Sequence, residues 1–256
     1  MRILILMFLI LQLNAQTPFI WNDDEDYKPF IYKDKNGEAK GIFKDIMVEA
    51  FKRMNIPLKY NLYPWKRTQE YVKDGKADGM ITVPTKERLK FLKPTDTIII
   101  AKEKIFARKD NPKIKQIMQI KSIKEFNNYT VVDYIGAGWA QDHYKHLKHV
   151  LWVPKNTNAL LMVANKRADI YLSDEFIGIS TIKKLIKQYP QYKENLKKLI
   201  ACPHVFTKLK FSLLIRKNSK YVNIIPKFNK TLQEMKKDGT YDKILKKYLS
   251  IDEHKK

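Results

Sequence analysis

Arg88 ends a run from Tyr63, YPWKRTQEYVKDGKADGMITVPTKER, that holds most of what this sequence offers a small anion. The run reads as a short helix, the link DGKAD, a buried strand from Gly79 to Thr82 and the start of a second helix. Open α/β sheets take their ligands beyond the carboxyl ends of the strands, so Thr82, Thr85 and Arg88 fall where an anion would sit. Trp65, at the start of the first helix, supplies an aromatic wall beside them.

Other reactive residue types make weaker constellations. His143 and His146 are three apart on a predicted helix and share a face, but no convincing third ligand accompanies them, so no metal centre is expected. No acid, base or nucleophile stands in a catalytic setting, and no cofactor motif is present, so a non-enzymatic role is expected. Cys202, the only cysteine, lies between Ala201 and Pro203 and reads as structural filler; the chain forms no internal disulfide. Asp174 ends the run ADIYLSD directly before a helix, where Asp is a favoured N-cap. Asp78 and Asp169 precede strands and read as structural.

The elements that must position these residues recur. Helix, link and strand appear a second time as LLMVANKRADIYLSDE, with Arg167-Ala168-Asp169 matching Lys76-Ala77-Asp78, so two similar lobes are expected. A strand begins at PFIW, and Asn36-Gly37 marks a hairpin. Apolar residues from Ile42 to Met54 recur at helical spacing, and LKYNLY supplies the next strand. The long apolar stretch TDTIIIAKEKIFARKDN is the candidate strand leaving one lobe, and Leu209 to Arg216 the return crossing. A second α/β series lies between, with a helix expected through Leu147, a helix from Asn156 to Lys166, a strand from Ala168 to Leu172 and a helix from Ile177 to Tyr189. Two amphipathic helices hinged at Gly239 end the chain.

Met1-Arg2, the apolar run after them and Ala15 have the pattern of a secretory signal cleaved near Ala15, which implies export. The formal net charge of +23 raises the prospect of nucleic-acid binding, but the lysines are scattered over nearly every element. They form no Arg-rich patch interleaved with stacking aromatics, so no nucleic-acid partner is expected.

Four blocks, YKPFIYKDKNGEAKGIFKDIMVEAF, PWKRTQEYVKDGKADG through TKER, ADIYLSDE, and FSLLIRKNS through KKDGTYDKILKKYL, give the chain its wider likeness. In order and spacing it resembles the periplasmic substrate-binding proteins of amino-acid ABC transporters, bacterial extracellular solute-binding protein family 3. The resemblance implies a type II periplasmic-binding-protein fold: two α/β lobes joined by two crossing strands. The division expected is a signal over 1–15, lobe one over 16–106, lobe two over 107–208, and a return over 209–256 that completes lobe one. It implies a monomer in the periplasm that clamps an amino acid or related carboxylate and delivers it to an ABC permease, without a cofactor. By the same resemblance Tyr27 packs on the ligand, Asp24 contacts it, and Trp65 forms the opposite wall. Arg88 grips the ligand's α-carboxylate and Asp174 receives its α-amino group. Where the family offers a hydroxyl to the carboxylate, this chain has Gly136-Ala137-Gly138-Trp139, so backbone N–H groups at Gly138 take that role and Trp139 crowds or extends the pocket. Relatives of this fold include a dehydratase of cyclic carboxylic acids, so an enzyme is the alternative from another class, and a ligand sensor without transport is a third.

Overall fold

The computed structural model describes residues 17–249. The expected secretory segment through Ala15 lies outside the described residues, as does His254.

The first lobe starts with β1 (Phe19–Asp24), a small antiparallel sheet of β2 (Asp26–Tyr27), β3 (Ile31–Lys33) and β4 (Ala39–Lys40), and α1 (Ile42–Met54). Helix α1 buries Ile42, Phe43, Ile46, Met47, Ala50, Phe51 and Met54 on one face. Its entry requires glycine: Gly41 has φ +125°, and a Cβ there would lie 2.4 Å from the Phe30 carbonyl oxygen. Asn55, left-handed at φ 55°, ends it by donating its N–H to the last-turn carbonyls. Next come β5 (Leu58–Tyr63), α2 (Trp65–Lys73), β6 (Gly79–Thr82), the single turn α3 (Lys86–Leu89) and the long β7 (Leu92–Arg108).

Lobe two adds α4 (Ile114–Ile117), β8 (Val131–Tyr134), α5 (Gly138–His143), β9 (Val150–Val153), α6 (Asn156–Ala164), β10 (Ile170–Asp174), α7 (Glu175–Gln188), α8 (Lys193–Leu196) and β11 (Leu199–Ala201). Strand β12 (Thr207–Arg216) then returns to lobe one, followed by α9 (Ile225–Lys237) and α10 (Thr240–Leu249). One mixed sheet runs through both lobes in the order β5-β1-β6-β12-β7-β10-β8-β9, with β11 also on β7. The outer strands of each lobe pair in parallel, whereas the two crossing strands pair antiparallel with each other and with β6 and β10. Strand β7 pairs with β10 from Glu103 to Ala107.

Some element ends differ from expectation. The helix expected through Leu147 stops at His143, because Tyr144 turns its ring into the core and the chain tightens into a Leu147 N–H to Tyr144 carbonyl bond of 3.0 Å. The helix expected through Lys166 stops at Ala164, since Lys166 is left-handed at φ 59°. The following strand starts later, at Ile170, and runs through Asp174.

Asp78 and Asp169 do equivalent structural work in the two halves. Asp78 accepts from the Ile20 N–H at 2.8 Å and the Ser219 hydroxyl at 2.7 Å. Asp169 accepts from the Thr130 N–H at 2.9 Å and the Asn111 amide at 3.0 Å. Each ties the turn before a strand to the neighbouring chain.

The C-terminal helices close over lobe one. Phe228, Leu232 and Met235 of α9 are buried in the same core as α1, and Tyr241 of α10 donates to the Ile98 carbonyl at 2.7 Å. Truncating Phe228, fully buried beside Phe51, removes a large side chain from the middle of that packing. We expect Phe228→Ala to cost about 3–5 kcal/mol in urea denaturation; a loss below about 1 kcal/mol would mean α9 does not pack there.

Candidate functional site

Between the lobes the strand ends enclose a cavity of about 80 Å3, a space for a small solute and not for a polymer segment. Asp24, Tyr27, Trp65, Thr82, Arg88, Gly138, Trp139 and Asp174 all line it. Thr85 does not: its hydroxyl caps α3 by accepting the Arg88 backbone N–H at 3.3 Å. That residue positions Arg88 from behind.

Arg88 reaches the cavity because Thr85 starts α3 one turn earlier and Val83 leaves β6 beside it. The residue is only 6% exposed. One guanidinium nitrogen donates to the Val83 carbonyl at 3.0 Å; the other donates to the Gln69 amide oxygen at 2.9 Å and to the Gly136 carbonyl of lobe two at 3.3 Å. The Trp65 ring lies against its cationic face, 5.4 Å from centroid to guanidinium carbon. Burial lowers its pKa to about 10, which leaves it charged at neutral pH. Among the described residues no carboxylate pairs with it. Asp142 acts on it only through space, so the buried fork has room to pair with an anion, and its planar geometry suits a carboxylate.

Lobe two meets that group with the turn before α5. Gly138 stands against the guanidinium, where an added Cβ would lie 2.8 Å from its carbon. Trp65 also donates its indole N–H to the Gly136 carbonyl at 2.8 Å. Trp139 stacks on His143 at 4.1 Å and meets Tyr144 edge-on, so it forms a wall of the cavity while His143 bonds to the Trp139 carbonyl. No group of three metal-ligating side chains exists among the described residues. On the lobe-one side Tyr27 stacks on Phe30 and leans on Phe211 of the return strand.

Asp174 is both cap and cavity wall. One oxygen accepts the Phe176 and Ile177 N–H groups at the start of α7, at 2.9 and 3.2 Å. The other accepts the Lys102 N–H of crossing strand β7 at 3.0 Å. Burial nevertheless holds its pKa above the usual carboxylate value, against the lowering effect of those donors.

Sequence reasoning missed several cavity residues: Asp23, Glu103, Asp133, Tyr134, Tyr171 and Phe211. The signal for Glu103 was present, since Ile99, Ala101, Glu103 and Ile105 are the alternating buried positions of β7. Asp133 likewise interrupts an apolar strand, VVDY, that is buried through Asp133. Asp23 serves the fold: its oxygens accept the Trp21 indole N–H and the Ile81 and Asp24 backbone N–H groups.

Two lobes that meet at a small cavity lined by one arginine and several carboxylates suit a protein that binds a small solute. The chain belongs to the bacterial extracellular solute-binding proteins, family 3, whose pattern matches residues 20–251. It is 27% identical over 237 residues to the probable amino-acid-binding protein YxeM of Bacillus subtilis (strain 168), covering 88% of this chain and 81% of that protein. A histidine kinase sensor domain with similarity to periplasmic binding proteins has the same fold, with a TM-score of 0.75 at 18% identity over 91% of this chain and 96% of its own. The ancestral amino-acid-binding protein AncCDT-1, a precursor of cyclohexadienyl dehydratase, matches with a TM-score of 0.70 at 25% identity over 91% and 96%. The family and YxeM are described as binders, while the last two likenesses leave sensing and catalysis as roles the fold also hosts.

The acidic wall makes stability depend on pH. Burial pushes Asp23 up to about 8 and, with the charges of Asp26 and Glu25 adding, Asp24 up to about 7, from an ordinary value of 3.8. Between the ordinary and the raised values the folded chain keeps protons that the unfolded chain has released, so stability falls as pH rises through that window. We expect the Tm of the ligand-free protein to fall from about pH 5 to about pH 8, and Asp24→Asn to flatten the fall. A Tm that rises over the same range would show that these carboxylates ionise without penalty.

Proposed function

We propose that this chain is an exported monomeric binding protein that closes over one amino acid and hands it to an ABC-type permease. The observation that carries the reading is the buried, unneutralised guanidinium of Arg88 at the junction of the lobes. On this reading Arg88 holds the α-carboxylate, helped by Thr82 and the backbone at Gly138, and Asp174 takes the α-amino group with its remaining lone pair. Asp24, Tyr27, Trp65 and Trp139 wall the ligand, and Thr85 sets the position of Arg88. Lobe one comprises 16–106 with 209–256, and lobe two 107–208. Export is supported by the N-terminal sequence and by the extracellular character of the family. Binding and not catalysis is favoured by the description of the family and of YxeM.

A ligand touching both lobes stabilises the closed form by its differential affinity for it. The test is a thermal-shift screen of the purified chain against amino acids, organic acids and polyamines. An L-amino acid at about a hundred times its Kd should stabilise by roughly 2.7 kcal/mol, a clear rise in Tm. Arg88→Ala should abolish that shift, because loss of a buried charged contact costs about 2–5 kcal/mol. A full shift in Arg88→Ala would put the carboxylate elsewhere, and a screen in which only non-carboxylates act would overturn the amino-acid reading.

A further inference from the structure

One wall of the cavity is built by a single face of strands β7, β10 and β8. Glu103 of β7 stands directly across from Asp174 of β10, and Ile105 across from Leu172. Tyr171 pairs with Val132 in β8, which sets Asp133 level with Leu172 and on the same face. Register alone therefore brings Glu103, Asp174 and Asp133 together at the cavity, which all three line.

Their hydrogen bonding separates them. Asp174 is engaged by three backbone N–H groups. Asp133 accepts only the Tyr134 N–H, through one oxygen at 2.7 Å, so its other oxygen has no donor among the described residues. Glu103 is 5% exposed and its carboxyl has no donor or cation at all among the described residues; its charged neighbours are Asp174 and Asp133. The Tyr144 hydroxyl is buried without a partner among the described residues. Its electrostatic neighbours are Asp133 and Glu103.

Buried carboxyls are ordinarily paired or hydrogen-bonded. Two that face one small cavity, with no cation of the protein beside them, lack a partner that carries positive charge and several donors. Burial, with Asp174 and Asp133 adding, holds the Glu103 carboxyl well above its usual range, and a cation beside it would lower that value. The apolar lining between the two poles, Leu172, Phe211 and Trp139, suits an aliphatic stem.

We propose that Glu103 and Asp133 form a cation subsite that selects an amino acid whose side chain ends in an amine or guanidine. The inference rests on the amino-acid reading above and adds the ligand's side-chain chemistry to it. The distal cation donates to Glu103 and Asp133, while the α-carboxylate lies on Arg88 across the cavity.

Titration calorimetry of the full purified chain with L-arginine, L-lysine, L-citrulline and cadaverine tests it. Arginine or lysine should bind at least about 30-fold more tightly than citrulline, the uncharged analogue of arginine. Glu103→Gln, with a melting transition confirming that it folds, should remove about that factor for the cationic ligand and change citrulline by less than about threefold. Asp133→Asn provides the same comparison should Glu103→Gln fail to fold. Equal affinity for citrulline and arginine, or equal losses for both in the variants, would overturn the subsite while leaving an amino-acid binder standing. Cadaverine bound as tightly as lysine would support the subsite and overturn the amino-acid reading. Silence from all four ligands would overturn both.

Discussion

The closed arrangement of this chain depends on how the Arg88 guanidinium is kept out of water. Removing a guanidinium from solvent is costly, and here the compensation comes from two carbonyls, one amide oxygen and the face of Trp65, none of which carries a formal negative charge. The Gly136 carbonyl belongs to lobe two, so the contact between the lobes supplies one of the acceptors of the buried charge. A carboxylate at Arg88 would complete what these dipoles leave undone. Its charge is worth most when the surrounding water is gone, which is the closed form, and that difference is what drives a clamp.

Asp174 couples the other jaw to the same motion. It caps α7 through two N–H groups and accepts a third from Lys102, which lies on the crossing strand where β7 passes between lobes. Any charge placed against Asp174 is therefore felt at the start of a lobe-two helix and at the hinge strand together. Outside the cavity, an ion pair of 2.8 Å from Lys184 of α7 to Asp26 of β2 bridges the lobes at the surface. With both partners largely solvated it adds little stability and mainly favours one relative position.

Much of the architecture was legible because it is written in local periodicity and in a repeat. The apolar spacing of α1, the Asn36-Gly37 hairpin and the twin Ala-Asp turns at Asp78 and Asp169 each declare themselves within a dozen or so residues. Arg88, Trp65 and Asp174, expected near the strand ends, line the cavity between the lobes. Thr85 was misjudged as a lining residue, since an N-cap and a ligand-facing hydroxyl have the same sequence signature at a helix start. Glu103 and Asp133 were overlooked for a different reason. An acid inside an apolar strand has meaning only once pairing shows which face it joins and whether a donor waits there, and both facts come from strands distant in sequence. The ends of α5 and α6 failed as local turns usually do, through Tyr144 entering the core and Lys166 turning left-handed.

Charge is distributed in opposite senses at two scales. The chain carries a formal net charge of +23, yet the cavity holds five carboxyl groups, Asp23, Asp24, Glu103, Asp133 and Asp174, against one arginine. Lysines on the surface are in water and their fields fade within a Debye length of roughly 8 Å at physiological salt. Inside the cavity the medium is of far lower polarity, so a charge there counts several-fold more, and burial accordingly raises all five carboxyls above their usual range. Surface charge therefore governs the approach of a solute and the cavity governs its retention. A positive exterior favours the approach of anions and slows that of cations, whereas an acidic wall favours a guest that brings positive charge. A zwitterionic solute avoids the conflict, since its far field is weak in either direction. Its two ends can then meet Arg88 and the acids separately once the lobes have closed.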